Sequence, residues 1–150
     1  MSDPITLPSA LSPAAIGYFK ASNTGANDWF GWSVALSGDG LTRAVGAKQE
    51  DGSTAGINGS DNNSSNEAGA VYVFRLTGTT WAQEAYVKPF NVGGGDQFGK
   101  AVALSADGNT LAVGANFEDS DTMGINGPDN DSSSYTGAVY VFTRSGTTWS

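Results

Sequence analysis

Residues Trp29–Ala47 read WFGWSVALSGDGLTRAVGA, and residues Gln97–Ala115 read QFGKAVALSADGNTLAVGA. The offset is 68 residues from Phe30 to Phe98, and it holds without a gap as far as the pair Trp81 and Trp149. Between Ala15–Ala82 and Gln83–Ser150, 39 of the 68 paired positions are identical, too many for coincidence. The chain is an internal repeat, so fold and function are to be read per repeat.

Composition narrows what the repeat can build. The 150 residues include 21 glycines and only 15% charged residues, a balance that favours short strands joined by turns over long helices. A net charge of −8 with seven Lys+Arg argues against nucleic acid and anionic membrane surfaces, both of which need a basic face. There is no cysteine and no histidine, which removes disulfides, thiol chemistry, thiolate sites and the commonest general base. Any bound metal is then expected to be a hard cation held by oxygen. No run reaches the roughly 18 apolar residues of a membrane helix, and Met1-Ser2-Asp3 is not the basic start of a signal peptide.

Within each repeat the alternation of apolar residues predicts four strands. In the second copy these are Phe98–Ser105, Thr110–Ala115, Gly137–Thr143 and a strand beginning at Trp149. In the first copy the fourth strand is complete, Trp81 to about Lys88. Asp-Gly between the first two runs is a hairpin signal, and Asn116–Thr136 is a long polar loop. Four antiparallel strands per repeat describe a propeller blade. The expected fold class is therefore all-β, a β-propeller of four-stranded antiparallel blades with two blades per chain. Ala70–Phe74 (AVYVF) is apolar on both faces and should be covered on both. Ser33, Ala35, Ala101 and Ala103 keep the first strand small, as crowding around a central axis requires.

Phe30-Gly31 and Phe98-Gly99, each followed by an alternating strand and Val-Gly-Ala, with Gly69–Phe74 and Gly137–Phe142 repeating Gly-Ala-Val-Tyr-Val-Phe, resemble the FG-GAP repeat. That resemblance implies the propeller of integrin α subunits and of many bacterial surface proteins. It also implies an extracellular or cell-surface location and an adhesion role, with loops on one face meeting protein or carbohydrate partners. The Asp-x-Asp-x-Asp-Gly calcium hairpin frequent in that family is missing: the hairpins here are Ser37-Gly38-Asp39-Gly40 and Ser105-Ala106-Asp107-Gly108. A single carboxylate cannot supply the six or more oxygens of a Ca²⁺ site, so Asp39 and Asp107 read as turn residues.

Acidic residues gather instead in the long loops, residues 48–68 and 116–136. Glu50, Asp51 and Asp61 recur as Glu118, Asp119 and Asp129, and the second copy adds Asp121 and Asp131. Carboxylates and Asn carbonyls on a Gly-bent loop could hold Ca²⁺. The same residues tolerate turns, with Ile57 and Ile125 pinning the loops to the body, so a solvated structural loop stands as the primary reading and calcium as the second. Without histidine no serine has an evident activating base, and no enzymatic activity is expected. Trp29 and Trp32 are read as blade packing, with stacking on a sugar ring as the lectin-like alternative. Arg43, where the repeat has Leu111, has no explanation in the sequence.

The ends of the repeat frame suggest how copies join. Pro13–Lys20 (PAAIGYFK) stands 68 residues before Trp81–Lys88, with Tyr18 matching Tyr86 and Lys20 matching Lys88, whereas the second copy reaches its fourth strand only at Trp149-Ser150. The expected organisation is a flexible arm over 1–12 and a two-blade segment over 13–150. The segment comprises an exchanged outer strand at 13–20, a first blade at 29–88 and a second blade at 97–150 lacking its outer strand. Two blades leave apolar faces and an open edge in water, so the N-terminal strand is expected to complete a blade of another copy. Head-to-tail contacts of this kind close rings, here of three or four chains giving six or eight blades. The expected function is a non-enzymatic binding or adhesion module that assembles with itself. The alternative is a purely structural self-assembling fragment, excised or designed, without its own ligand.

Overall fold

The computed structural model describes residues 17–60 and 62–150; the expected arm, residues 13–16 of the exchanged strand and Asp61 lie outside the described residues. The first sheet is formed by β1 (Phe30–Leu36), β2 (Thr42–Ala47), β3 (Ala70–Thr77) and β4 (Thr80–Val87), in that order. The second is formed by β5 (Ala101–Leu104), β6 (Thr110–Ala115), β7 (Ala138–Ser145) and β8 (Thr148–Trp149), again in chain order. Every pairing inside the sheets is antiparallel, and the described residues contain no helix.

The repeat therefore folds twice into the same meander. The β1–β2 and β5–β6 turns are clasped by their own side chains: Ser37 Oγ accepts from Thr42 N at 3.0 Å, and Ser105 Oγ accepts from Thr110 N at 2.9 Å. Asp39 accepts from Leu41 N at 2.9 Å and Asp107 from Asn109 N at 3.0 Å, the turn role expected of them.

β5 is shorter than the run Phe98–Ser105 because Phe98 bridges Gly69 across the joint instead of pairing with β6, as Phe30 pairs with Ala47 in β2. Lys100 N donates to Gln97 O at 3.1 Å, and Gly99 takes φ +88°, a left-handed backbone that disfavours side chains. A Cβ at Gly99 would lie 2.5 Å from Ala70 O. The turn presses Phe98 into the first sheet, where its N donates to Ala68 O at 2.9 Å and Phe98 bridges Gly69. The phenyl ring, fully buried, meets Tyr140 and Phe142 edge to face at 5.4 and 6.1 Å.

Alternation along the strands builds the joint between the sheets. Val71 and Val73 point from β3 into a core shared with Phe98, Leu111, Val113 and Tyr140, while Tyr72 and Phe74 point to the opposite side, against Phe19, Phe30 and Trp81. β3 is thus covered on both faces over Ala70–Phe74, as its composition predicted. β1 and β5 lie side by side, with Gly38 N donating to Ala106 O at 2.8 Å and Ser33 Oγ to Gly99 O at 2.6 Å. Small residues at these positions permit that approach.

Residues 17–20 form no strand pairing with the other described residues. Phe19 packs edge-on against Phe74 and Trp81 at 5.4 and 5.5 Å. Arg43 acquires its explanation here: its guanidinium carbon lies 4.8 Å from the Phe19 ring centre and 4.1 Å from that of Trp81. Neither partner is near Arg43 in the chain, which is why sequence alone left it unexplained.

Candidate functional site

Each long loop is anchored at its first acidic residue, and the two anchors differ. In the first copy Glu50 is fully buried and its carboxylate is saturated. Oε2 accepts from Lys88 Nζ at 2.8 Å and Gly52 N at 3.1 Å, while Oε1 accepts from Tyr86 OH at 2.8 Å and Asn23 Nδ2 at 3.2 Å. Tyr72 OH donates to Asn23 Oδ1 at 2.7 Å, closing the network. In the second copy Glu118 is only 4% exposed and Asn91 Nδ2 donates to it at 3.2 Å, with Tyr140 OH on Asn91 Oδ1 at 2.8 Å. Among the described residues Glu118 has no cationic partner.

The remaining loop carboxylates act as staples. Asp51 Oδ1 accepts from Glu67 N and Asp119 Oδ1 from Tyr135 N, each at 2.8 Å across 16 residues. Asp121 Oδ1 accepts from Asn130 Nδ2 at 2.6 Å. Asn62 and Asn130 clasp their loops at equivalent places, taking Ser53 N at 2.9 Å and Asp121 N at 3.2 Å. Of the residues weighed for calcium, Glu50, Asp51, Glu118, Asp119, Asp121, Asp129 and Asp131 are described, and no three or more acidic side chains among the described residues converge on a point that could hold an ion. Asp61 lies outside the described residues.

The second loop concentrates negative charge. Burial pushes the Glu118 carboxyl up against a backbone hydrogen bond from Ser120, and Asp129, Asp131 and Asp119 push it further. Burial likewise pushes Asp96 up to about 6 against the Gly93 backbone bond, with Glu118, Asp119 and Asp131 adding to the rise. An acid whose value is raised on folding favours the fold when protonated, so its contribution is lost as pH climbs from the ordinary carboxylate range through about 6. Asp96→Asn is therefore expected to gain on the native chain in denaturation midpoint between about pH 4 and pH 7. A difference that stays constant over that interval would count against the charge cluster.

The loops diverge most at their tips. In the first copy Ile57 bridges Val87 and packs on the core, pinning the loop as expected. In the second copy Ile125 is 93% exposed, which corrects the expectation that it pins the loop. Among the described residues Ile125 has no bridge like the one Ile57 makes to Val87. A cleft of about 540 Å³ lies beside it, bounded by Glu118, Tyr140, Val141, Ile125 and Asn126.

Trp29 and Trp32 do not pack between sheets. Both are half-exposed, their ring centres are 5.3 Å apart, and Lys48 Nζ sits 4.5 and 4.1 Å from them, a cation held on two aromatic faces. The sheet that carries them is otherwise tied to its neighbour by Glu84, which takes Arg144 at 3.2 Å and Trp149 Nε1 at 3.0 Å. Sequence reasoning missed the Glu50–Lys88 pair. Glu50/Glu118 and Lys20/Lys88 all hold the repeat register, but nothing local in the sequence pairs one with the other.

Two repeated four-stranded meanders, packed face to face and joined at buried Phe98-Gly99, are consistent with two blades of a β-propeller-type module. The chain belongs to the FG-GAP repeat family: the model for the FG-GAP repeat matches it twice, over residues 17–74 and 81–142. No curated protein and no solved structure matches the chain.

Proposed function

We propose that this chain is a non-enzymatic propeller module that assembles head to tail with copies of itself and presents its long loops, residues 48–68 and 116–136, as a repeated binding face. The observation that carries the reading is a pair of complementary apolar patches. Val139 and Val141 of β7 are 73% and 62% exposed, although their counterparts Val71 and Val73 are fully buried in the joint between sheets. On the opposite side of the chain Val34 and Leu36 of β1 are 62% and 52% exposed, although their counterparts Val102 and Leu104 pack into that joint. The two patches are thus the two halves of the contact that already holds the sheets together.

Stacking one copy on the next buries both patches by a heterologous contact, which closes into a ring if the rotation allows. Three or four chains give six or eight blades, within the usual range of about four to eight. Repetition of the loops around a ring would sum weak contacts to protein or carbohydrate by avidity. Val141→Asp, at a position exposed in the single chain, is expected to leave the circular dichroism spectrum unchanged while abolishing assembly in light scattering. Assembly undiminished by that charge would remove the stacking reading.

A further inference from the structure

The Glu50 carboxylate holds a primary amine on one oxygen and a primary amide on the other. Lys88 Nζ donates to Oε2 at 2.8 Å, and Asn23 Nδ2 donates to Oε1 at 3.2 Å. The amide can face the carboxylate in only one sense, because an ionised carboxylate accepts hydrogen bonds and so takes the NH2 end. Asn23 Oδ1 is turned to Tyr72, whose hydroxyl donates to it at 2.7 Å. Tyr86 OH holds the same carboxylate from a further side at 2.8 Å. Lys88, Glu50, Tyr72 and Tyr86 are all buried, which keeps solvent from the amine.

These groups come from separate parts of the meander. Lys88 follows β4, Glu50 follows β2, and Tyr72 stands on β3. Asn23 lies ahead of β1 on a segment tied to β4 through its neighbour, with Ser22 N on Gln83 Oε1 at 3.2 Å and Gln83 Nε2 on Ser22 Oγ at 3.0 Å. The amide side of the arrangement recurs in the second copy, at the same repeat positions. There Asn91 Nδ2 donates to Glu118 at 3.2 Å and Tyr140 OH to Asn91 Oδ1 at 2.8 Å. The repeat itself therefore builds an amide clamped between an acid and a phenol, and in the first copy an amine shares the acid.

We infer that Lys88 and Asn23 react with each other to form an intramolecular isopeptide bond, with Glu50 as the catalytic proton carrier. Glu50 takes a proton from the Lys88 ammonium along their hydrogen bond, which leaves two neutral groups in a buried site. The lone pair freed on Nζ attacks Cγ of Asn23, and the carbonyl electron pair moves onto Oδ1, where the Tyr72 hydroxyl stabilises the developing charge. Glu50 then hands its proton to Nδ2 and takes another from the attacking nitrogen. As the tetrahedral intermediate collapses, the Cγ–Nδ2 bond breaks and ammonia leaves. One amine and one primary amide give one secondary amide and one ammonia, with no change of oxidation state. Holding amine, acid and amide together in one site replaces a slow encounter between them. The ion pair of Lys88 and Glu50 is the state before reaction, and the bond ties the chain ahead of β1 to the chain after β4.

Mass spectrometry of the full chain, folded and then denatured, reads this reaction directly. The native chain is expected to be lighter than its sequence by one molecule of ammonia. Trypsin should release residues 21–43 and 76–100 as one joined fragment, linked through Asn23 and Lys88. Asn23→Ala removes the amide and leaves Lys88 on Glu50. That variant should keep the circular dichroism spectrum, show its full mass, and melt at a lower temperature than the native chain. Glu50→Gln should likewise show its full mass, and a linked fragment in that variant would overturn the role given to Glu50. A native chain that keeps its full mass on prolonged incubation overturns the inference. So does a loss of ammonia with the two fragments separate, since Asn23 has then closed on its own backbone.

Discussion

Replacing Lys88 with alanine is expected to lower the stability of the fold by about 3–5 kcal/mol, read as the shift in urea midpoint at constant slope. Lys88 and Glu50 are 0% and 1% exposed and 2.8 Å apart. Deletion of one partner leaves a carboxylate inside the protein with Tyr86 and Asn23 but no counter-charge, and that desolvation cost is what makes the loss large. The control is Lys88→Met combined with Glu50→Gln, which removes both charges and keeps the volume. Such replacements of buried pairs are often close to neutral, so the double variant should recover most of the loss. If Lys88→Ala costs under about 1 kcal/mol, the pair is behaving as a surface ion pair and the anchoring role assigned to it is wrong. Because stability of a domain totals about 5–15 kcal/mol, the single variant approaches the threshold of unfolding.

The second large effect is expected at Phe98. Phe98→Ala should cost about 3–5 kcal/mol, since the ring is fully buried and its removal leaves a cavity where the sheets meet. The cost falls on the joint: Tyr140 and Phe142 lose their edge-to-face partner, and Val71, Val73 and Val87 lose the surface they pack against. Phe30 is the same residue of the repeat and contacts Tyr72 and Phe74 in the same geometry, at 5.4 and 6.2 Å, but is only partly buried. Phe30→Ala is expected to cost less than half as much in the dissociated chain. Thermal denaturation of the two variants in parallel checks the contrast, and equal losses would mean that Phe98 does not hold the sheets together.

That pair of phenylalanines illustrates what could be read from the residues alone. The 68-residue register located both copies of Phe-Gly, and the period-two alternation located seven of the strands closely, because these signals are local. β5 came out short because Phe98 bridges Gly69 across the joint instead of continuing the ladder with β6, a tertiary contact. The role of Glu50 was not legible, since its cation lies 38 residues away and a carboxylate in an Asn- and Gly-rich loop suggests a metal equally well. Ile57 and Ile125 sit in identical Gly-Ile-Asn-Gly motifs, yet only Ile57 packs, partly buried, on the core. That packing goes with its bridge to Val87, which no local pattern contains. Arg43 found its rings at Phe19 and Trp81 for the same reason.

The repeat also gives the two open patches their meaning. Val34 and Leu36 at one end, and Val139 and Val141 at the other, would read as ordinary surface apolar residues in a chain without internal symmetry. Their buried counterparts in the central joint supply the reason to expect a partner.

The mass of the chain in solution bears most directly on this account. Light scattering across a dilution series is expected to give three or four times the 15.3 kDa of one chain at high concentration, with dissociation on dilution and a twofold species absent as an endpoint. A constant 15.3 kDa at every concentration would contradict it.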